Sequence, residues 1–138
     1  MFLLDTNVIS ELRKAASGRV DPSVLRWANE HDADTLFVSV VTLMELEIGI
    51  LSIERKDPAQ GKLLREWFER QVLVEFDRRT LAIDAAVALR CAKLHVPDRR
   101  SERDALIAAT ALVHGMCVVT RNIDDFIGLG VAVENPWG

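Results

Sequence analysis

Short apolar runs alternate along this chain with stretches of helical periodicity. Leu3-Leu4, Thr35–Val41, Val72–Phe76, Met116–Thr120 and Val131–Val133 have the apolar, mostly β-branched content of buried strands. Helices are expected from Asn7 to about Arg13, after the Asp21-Pro22 start with Leu25, Trp27 and Ala28, and over Thr42–Leu51. Further helices are expected after Asp57-Pro58, over Thr80–His95, over Ser101–His114 with Gly115 closing it, and over Asp124–Ile127. The strands are continuous apolar runs rather than alternating ones, and helices separate them. That combination predicts an α/β fold, a central and mostly parallel sheet covered by helices on both faces. Ligands of such sheets bind beyond the C-terminal ends of the strands.

Acidic residues fall at that edge. Asp5 ends the first apolar run, Glu45 lies one turn into the helix after the second, and Asp125 follows the Met116 strand. Asp104 stands at the start of its helix, in register with Ile107, Ala108 and Ala111, an apolar stripe where a lone carboxylate is costly. Each acid also has a plain structural reading. Asp5 or Thr6 serves as an N-cap, Thr42 and Glu45 have capping-box spacing, Asp104 follows Ser101 by three, and Asp124-Asp125 suit a helix N-terminus. Taken together, converging carboxylates repel one another, and a divalent cation with phosphate oxygens among its ligands removes the conflict. Gly49, one turn beyond Glu45, fits either close helix packing or a ligand approaching the backbone.

Composition narrows the class. The 138 residues are 49% hydrophobic and 28% charged with a net charge of −4, so one folded domain over 1–138 is expected and nothing marks a basic nucleic-acid binder overall. Cys91 and Cys117 form no motif and lie in apolar surroundings, which fits buried thiols in a reducing compartment. No apolar run is long enough to span a membrane or make a signal peptide, and a cytoplasmic protein is expected.

The segments LLDTNVISEL, VSVVTLMELEIGIL, RSERDALIAATALVHGMCVVTRNIDDF and VENPW together resemble the PIN-domain ribonucleases, most of all the VapC/FitB-type toxins of bacterial toxin–antitoxin pairs. The resemblance covers nearly the whole chain in order. It implies a PIN-like three-layer α/β/α sandwich and a Mg²⁺- or Mn²⁺-dependent endoribonuclease. Asp5 and Asp104 match the main metal ligands of that family and Glu45 its third acid. Asn122 stands where some members carry Asp, so the fourth acidic role falls to Asp125, with Asn122 as a hydrogen-bonding helper. Thr6, Asn7 and Thr120 match its D-T-N and T-x-[DN]-x-x-D-F motifs as supporting residues.

The expected reaction is in-line hydrolysis of an RNA phosphodiester, helped by a carboxylate that takes the proton of the attacking water. Arg100, Arg103 and Arg121 are near the acids in sequence and are candidates for holding flanking phosphates. The expected partners are RNA, a VapB-like antitoxin and a second copy of the chain. Met44, Ile48, Leu51, Leu64, Trp67 and Phe68 are more large apolar side chains than one small sheet needs, and some are expected to line a groove for the antitoxin's helix. A PIN nuclease of RNA processing without an antitoxin and a degenerate PIN binding module remain alternatives. A phosphotransferase of the haloacid-dehalogenase type wants D-x-D-x-T, and Asn7 occupies its second acidic position.

Overall fold

A computed structural model describes residues 1–138. Its strands are β1 (Phe2–Leu4), β2 (Leu36–Ser39), β3 (Thr80–Leu81), β4 (Cys117–Val119) and β5 (Val133–Glu134). The α-helices are α1 (Thr6–Leu12), α2 (Pro22–Asn29), α3 (Val40–Lys56), α4 (Pro58–Trp67), α5 (Leu73–Glu75), α6 (Ala85–Leu94) and α7 (Glu102–His114). All the strand pairs are parallel, in the order β3-β2-β1-β4-β5. Phe2 pairs with Leu36 on one side and Cys117 on the other. The chain therefore leaves β1 toward β2 and later returns to β4 on the opposite side, which makes the C-terminal end of β1 a topological switch point.

The pleat explains why both faces need helices. Leu3 and Val118 enter one core with Val41, Ile107, Ala108 and Ala111. Leu4 and Val119 point the other way, into a core with Val8, Val38, Leu46, Ile50 and Leu64. All four strand residues are buried, so the run cannot alternate apolar with polar. No helix is long and apolar enough to cross a membrane.

Two expected elements differ. Val72–Phe76 is not a strand. The helix of α4 continues through a π-turn at Phe68–Val72 into α5. Leu64, Phe68, Val72 and Phe76 are all buried at intervals of four. An α-helix drifts by about 40° over four residues, and the wider π-turn brings Val72 back to the sheet. The β-branched content that suggests a strand reflects packing of that helical stripe. The strand lies later, where Thr80-Leu81 pairs with Val38-Ser39. The helix expected from Thr80 therefore begins at Ala85, where the Asp84 carboxylate caps it by accepting from the Val87 N–H at 3.0 Å.

α3 and α4 form a tight antiparallel pair. A Cβ on Gly61 would meet the Glu54 Cα at 2.7 Å, so only glycine allows this approach. Arg65 locks the same pair by bonding Glu47 and Glu54. Gly61→Ala gains helix propensity but forces backbone apart. We expect a net loss of about 1–3 kcal/mol, read as a lower midpoint in urea, and a midpoint at or above wild type would refute the close approach. Gly49 is different, because a Cβ there meets nothing within 4 Å, so close packing does not account for it.

Candidate active site

The first acid is placed by its own helix. Asp5 ends β1 in extended conformation and caps α1, its Oδ1 accepting from the Thr6 N–H at 2.8 Å. Its Oδ2 accepts from the Thr120 hydroxyl at 2.8 Å, across the β1–β4 switch point. The capping reading and a place in a site are thus compatible for Asp5.

Thr120 joins the two sides of this crevice. Its fully buried Oγ1 accepts from Asn7 Nδ2 at 3.2 Å and from the Asn122 N–H at 3.0 Å while donating to Asp5. Asn7 Oδ1 accepts from the Arg121 N–H at 3.2 Å, so the D-T-N turn and the loop after β4 are fastened twice.

Glu45 is held from the first residue of α1, its Oε1 accepting from the Thr6 hydroxyl at 2.7 Å. The capping box expected with Thr42 does not form. Ser39 caps α3 through its Oγ, Thr42 lies inside the helix, and the Thr42 hydroxyl is buried without a partner. With its capping role gone, the position of Glu45 is set by the site.

One cleft of about 590 Å³ gathers the acids. Asp5, Glu45, Asp104 and Asp125 line it with Thr6, Asn7 and Asn122. Burial pushes the Asp5 carboxyl above its ordinary value, with Glu45 and Asp125 adding to the rise and the Thr120 and Thr6 hydrogen bonds opposing it. Burial also raises Asp104, and the charges of Asp125 and Asp5 raise it further. At this edge burial disfavours the charged carboxylates first, and their neighbouring charges add to it. Arg103 meets only Glu45, at 3.5 Å.

Of the candidate arginines, Arg121 lines the cleft and Arg103 reaches it through Glu45. Arg100 does not line it, for its guanidinium donates to the Ile127 carbonyl at 2.6 Å and its N–H to His95 Nδ1. Ser10, Glu11, Arg13, Lys14 and Trp137 also line the cleft and were not expected there. The signal for four of them was helical spacing. Thr6, Ser10 and Arg13, and Asn7, Glu11 and Lys14, form stripes running from Asp5 down α1 and into the 3₁₀ turn at Arg13–Ser17 that follows it.

Oxygen is the donor set throughout, and it suits a hard divalent cation. No three His, Cys, Asp or Glu side chains are drawn tightly enough to cage an ion by themselves. Mg²⁺ does not ask for such a cage, since it takes one or two carboxylates and keeps its waters. The residues fit Mg²⁺ or Mn²⁺ on that basis.

The sequence and the fold also set the chain among known proteins. A family model described as PIN domain matches residues 2–130, and the chain belongs to that family. Over 145 aligned residues it is 35% identical to the VapC ribonuclease Y4jK of Sinorhizobium fredii, covering 99% of this chain and 98% of the relative. Its fold superposes on the crystal structure of FitAcB from Neisseria gonorrhoeae with a TM-score of 0.89, at 32% identity and 99% coverage of both chains. A toxin–antitoxin complex from Klebsiella pneumoniae matches with a TM-score of 0.68 at 26% identity, covering 99% of this chain and 98% of that one. Within the PIN family its likeness is to the VapC/FitB-type toxins.

Proposed function

We propose that this protein is a Mg²⁺- or Mn²⁺-dependent endoribonuclease, the toxin of a toxin–antitoxin pair. The observation that carries the reading is the meeting of Asp5, Glu45, Asp104 and Asp125 in one cleft at the switch point. The 35% identity to a VapC ribonuclease supports the substrate class.

Asp5, Asp104, Glu45 and Asp125 would hold the ion. When bound, it supplies positive charge to the phosphate in transition and acidifies water. Thr120 fixes the Asp5 carboxylate and Thr6 fixes that of Glu45, so neither rotates away when the substrate arrives. A carboxylate of this cluster would take the proton of the attacking water, and burial raises the proton affinity of both Asp5 and Asp104. Arg13, Lys14 and Arg121 line the same cleft and hold phosphates on either side of the scissile one.

Because the acids repel one another, cation binding stabilises the fold. The midpoint of thermal unfolding should rise with Mn²⁺ concentration, and EDTA should stop RNA cleavage. Cleavage in EDTA with a midpoint indifferent to Mn²⁺ would refute the reading.

An antitoxin is the partner we infer, supported by the described complex from Klebsiella pneumoniae. Met44, Ile48 and Leu51 are 45%, 43% and 50% exposed at one-turn spacing on α3, an apolar stripe suited to an amphipathic helix. Of the other candidates for that groove, Leu64 and Phe68 are core residues. Co-expression with the product of an adjacent small gene should give a stable complex of lower nuclease activity, and Ile48→Asp should weaken it. Separate elution of the two proteins would remove the antitoxin from the account.

A further inference from the structure

Among the residues lining the acid cleft, Trp137 is the single large apolar side chain. Its place is fixed from three directions. The Trp137 N–H donates to Asn135 Oδ1 at 2.9 Å, its ring packs against the core beside α1, and Gly138 lies against Ser23 at the start of α2. A Cβ on Gly138 would come within 2.6 Å of Ser23 Oγ, so the chain passes close to the start of α2 at this point. The ring is only partly buried, and the Arg121 guanidinium lies 5.2 Å from its centroid.

A rigid aromatic ring with a guanidinium over it, beside carboxylates that would act on a phosphate, has a specific use. Bases of single strands stack on such surfaces, and the neighbouring phosphate takes the positive charge. A paired base has both faces occupied by its own helix and cannot stack in this way. We propose that Trp137 and Arg121 together form the seat for one unpaired nucleotide next to the scissile phosphate, with Trp137 contributing to affinity and Arg121 to both stacking and phosphate contact. The inference rests on the nuclease reading for its substrate class, but it concerns binding and is tested without cleavage.

The probe is a short oligouridylate in EDTA, followed by intrinsic tryptophan fluorescence. Binding to the unaltered protein should quench emission, and Trp137→Phe should remove most of that quench, although Trp27 and Trp67 remain. Trp137→Ala should weaken binding by about tenfold. The same oligonucleotide with abasic sugars should bind Trp137→Ala and the unaltered protein equally, because there is no base left to stack. Phenylalanine should restore most of the affinity lost in alanine, and the melting midpoint of each variant separates a binding effect from a folding one. An equal loss for intact and abasic oligonucleotides in folded Trp137→Ala would overturn the proposal, as would a quench that persists in Trp137→Phe. Quenching through Trp137 with no cleavage in Mn²⁺ would instead sustain the seat and sink the nuclease reading.

Discussion

Asp104→Asn should lower RNA cleavage by on the order of 100-fold or more while leaving a folded protein that is more stable in the absence of metal. Both effects follow from removing the Asp104 charge. Burial, with the charges of Asp125 and Asp5, raises the Asp104 carboxyl above its ordinary value of 3.8. The folded state therefore holds this proton more tightly than the unfolded chain. The stabilisation is fully present below the unfolded value and is lost as pH rises through the raised folded value. An asparagine carries no charge to bury, so the variant should lose this decline, and its metal-free melting midpoint should exceed that of the unaltered protein at pH 7. Asp5→Asn should be as damaging to cleavage, but its stability gain should be smaller. Its amide nitrogen would face Thr120 Oγ1, which already accepts from Asn7 and Asn122. Full cleavage by folded Asp104→Asn would leave the acid cleft without a catalytic role.

Thr120→Val should be the most damaging change that touches no carboxylate. It has nearly the same shape, yet it strips a hydrogen bond from Asp5 Oδ2, Asn7 Nδ2 and the Asn122 N–H at once. We expect a loss of about 3 kcal/mol in stability and of about 100-fold in cleavage, since Asp5 is no longer held. Thr120→Ser keeps the hydroxyl and should recover most of both. A second test uses non-additivity. With Thr120→Val already present, Asp5→Asn should raise stability more than it does alone, because it then removes a buried charge that has already lost its Thr120 donor. Strict additivity would mean that the Thr120 hydroxyl and the Asp5 carboxylate act independently.

The fold class was legible because Leu3, Leu4, Val118 and Val119 are apolar in pairs, and only a doubly covered parallel sheet buries both members. Asp5 was legible for the same reason, as a charge at the end of such a pair. Elements whose packing contradicts their local composition were not. Val72 and Phe76 have strand-like side chains but sit on a helix kept in phase by a π-turn, which no short window displays. The Thr42-x-x-Glu45 spacing imitates a cap, and only the true cap at Ser39 shows that Glu45 faces the cleft. Arg13 and Lys14 read as ordinary surface charge until the α1 stripe is aligned with Asp5. Trp137 belonged to the VENPW segment of the family resemblance, but its place in the cleft depends on the fold of residues far from it in sequence.

Asp5 and Thr120 are 115 positions apart, yet the bond between them closes the crevice. β1 can pair with β2 early in synthesis, but it meets β4 only after the segment beyond α7 has left the ribosome. A nascent chain ending anywhere before Thr120 thus has the first acid but not the group that orients it. The parallel topology thus leaves the Asp5 carboxylate without its Thr120 donor until β4 is in place beside β1.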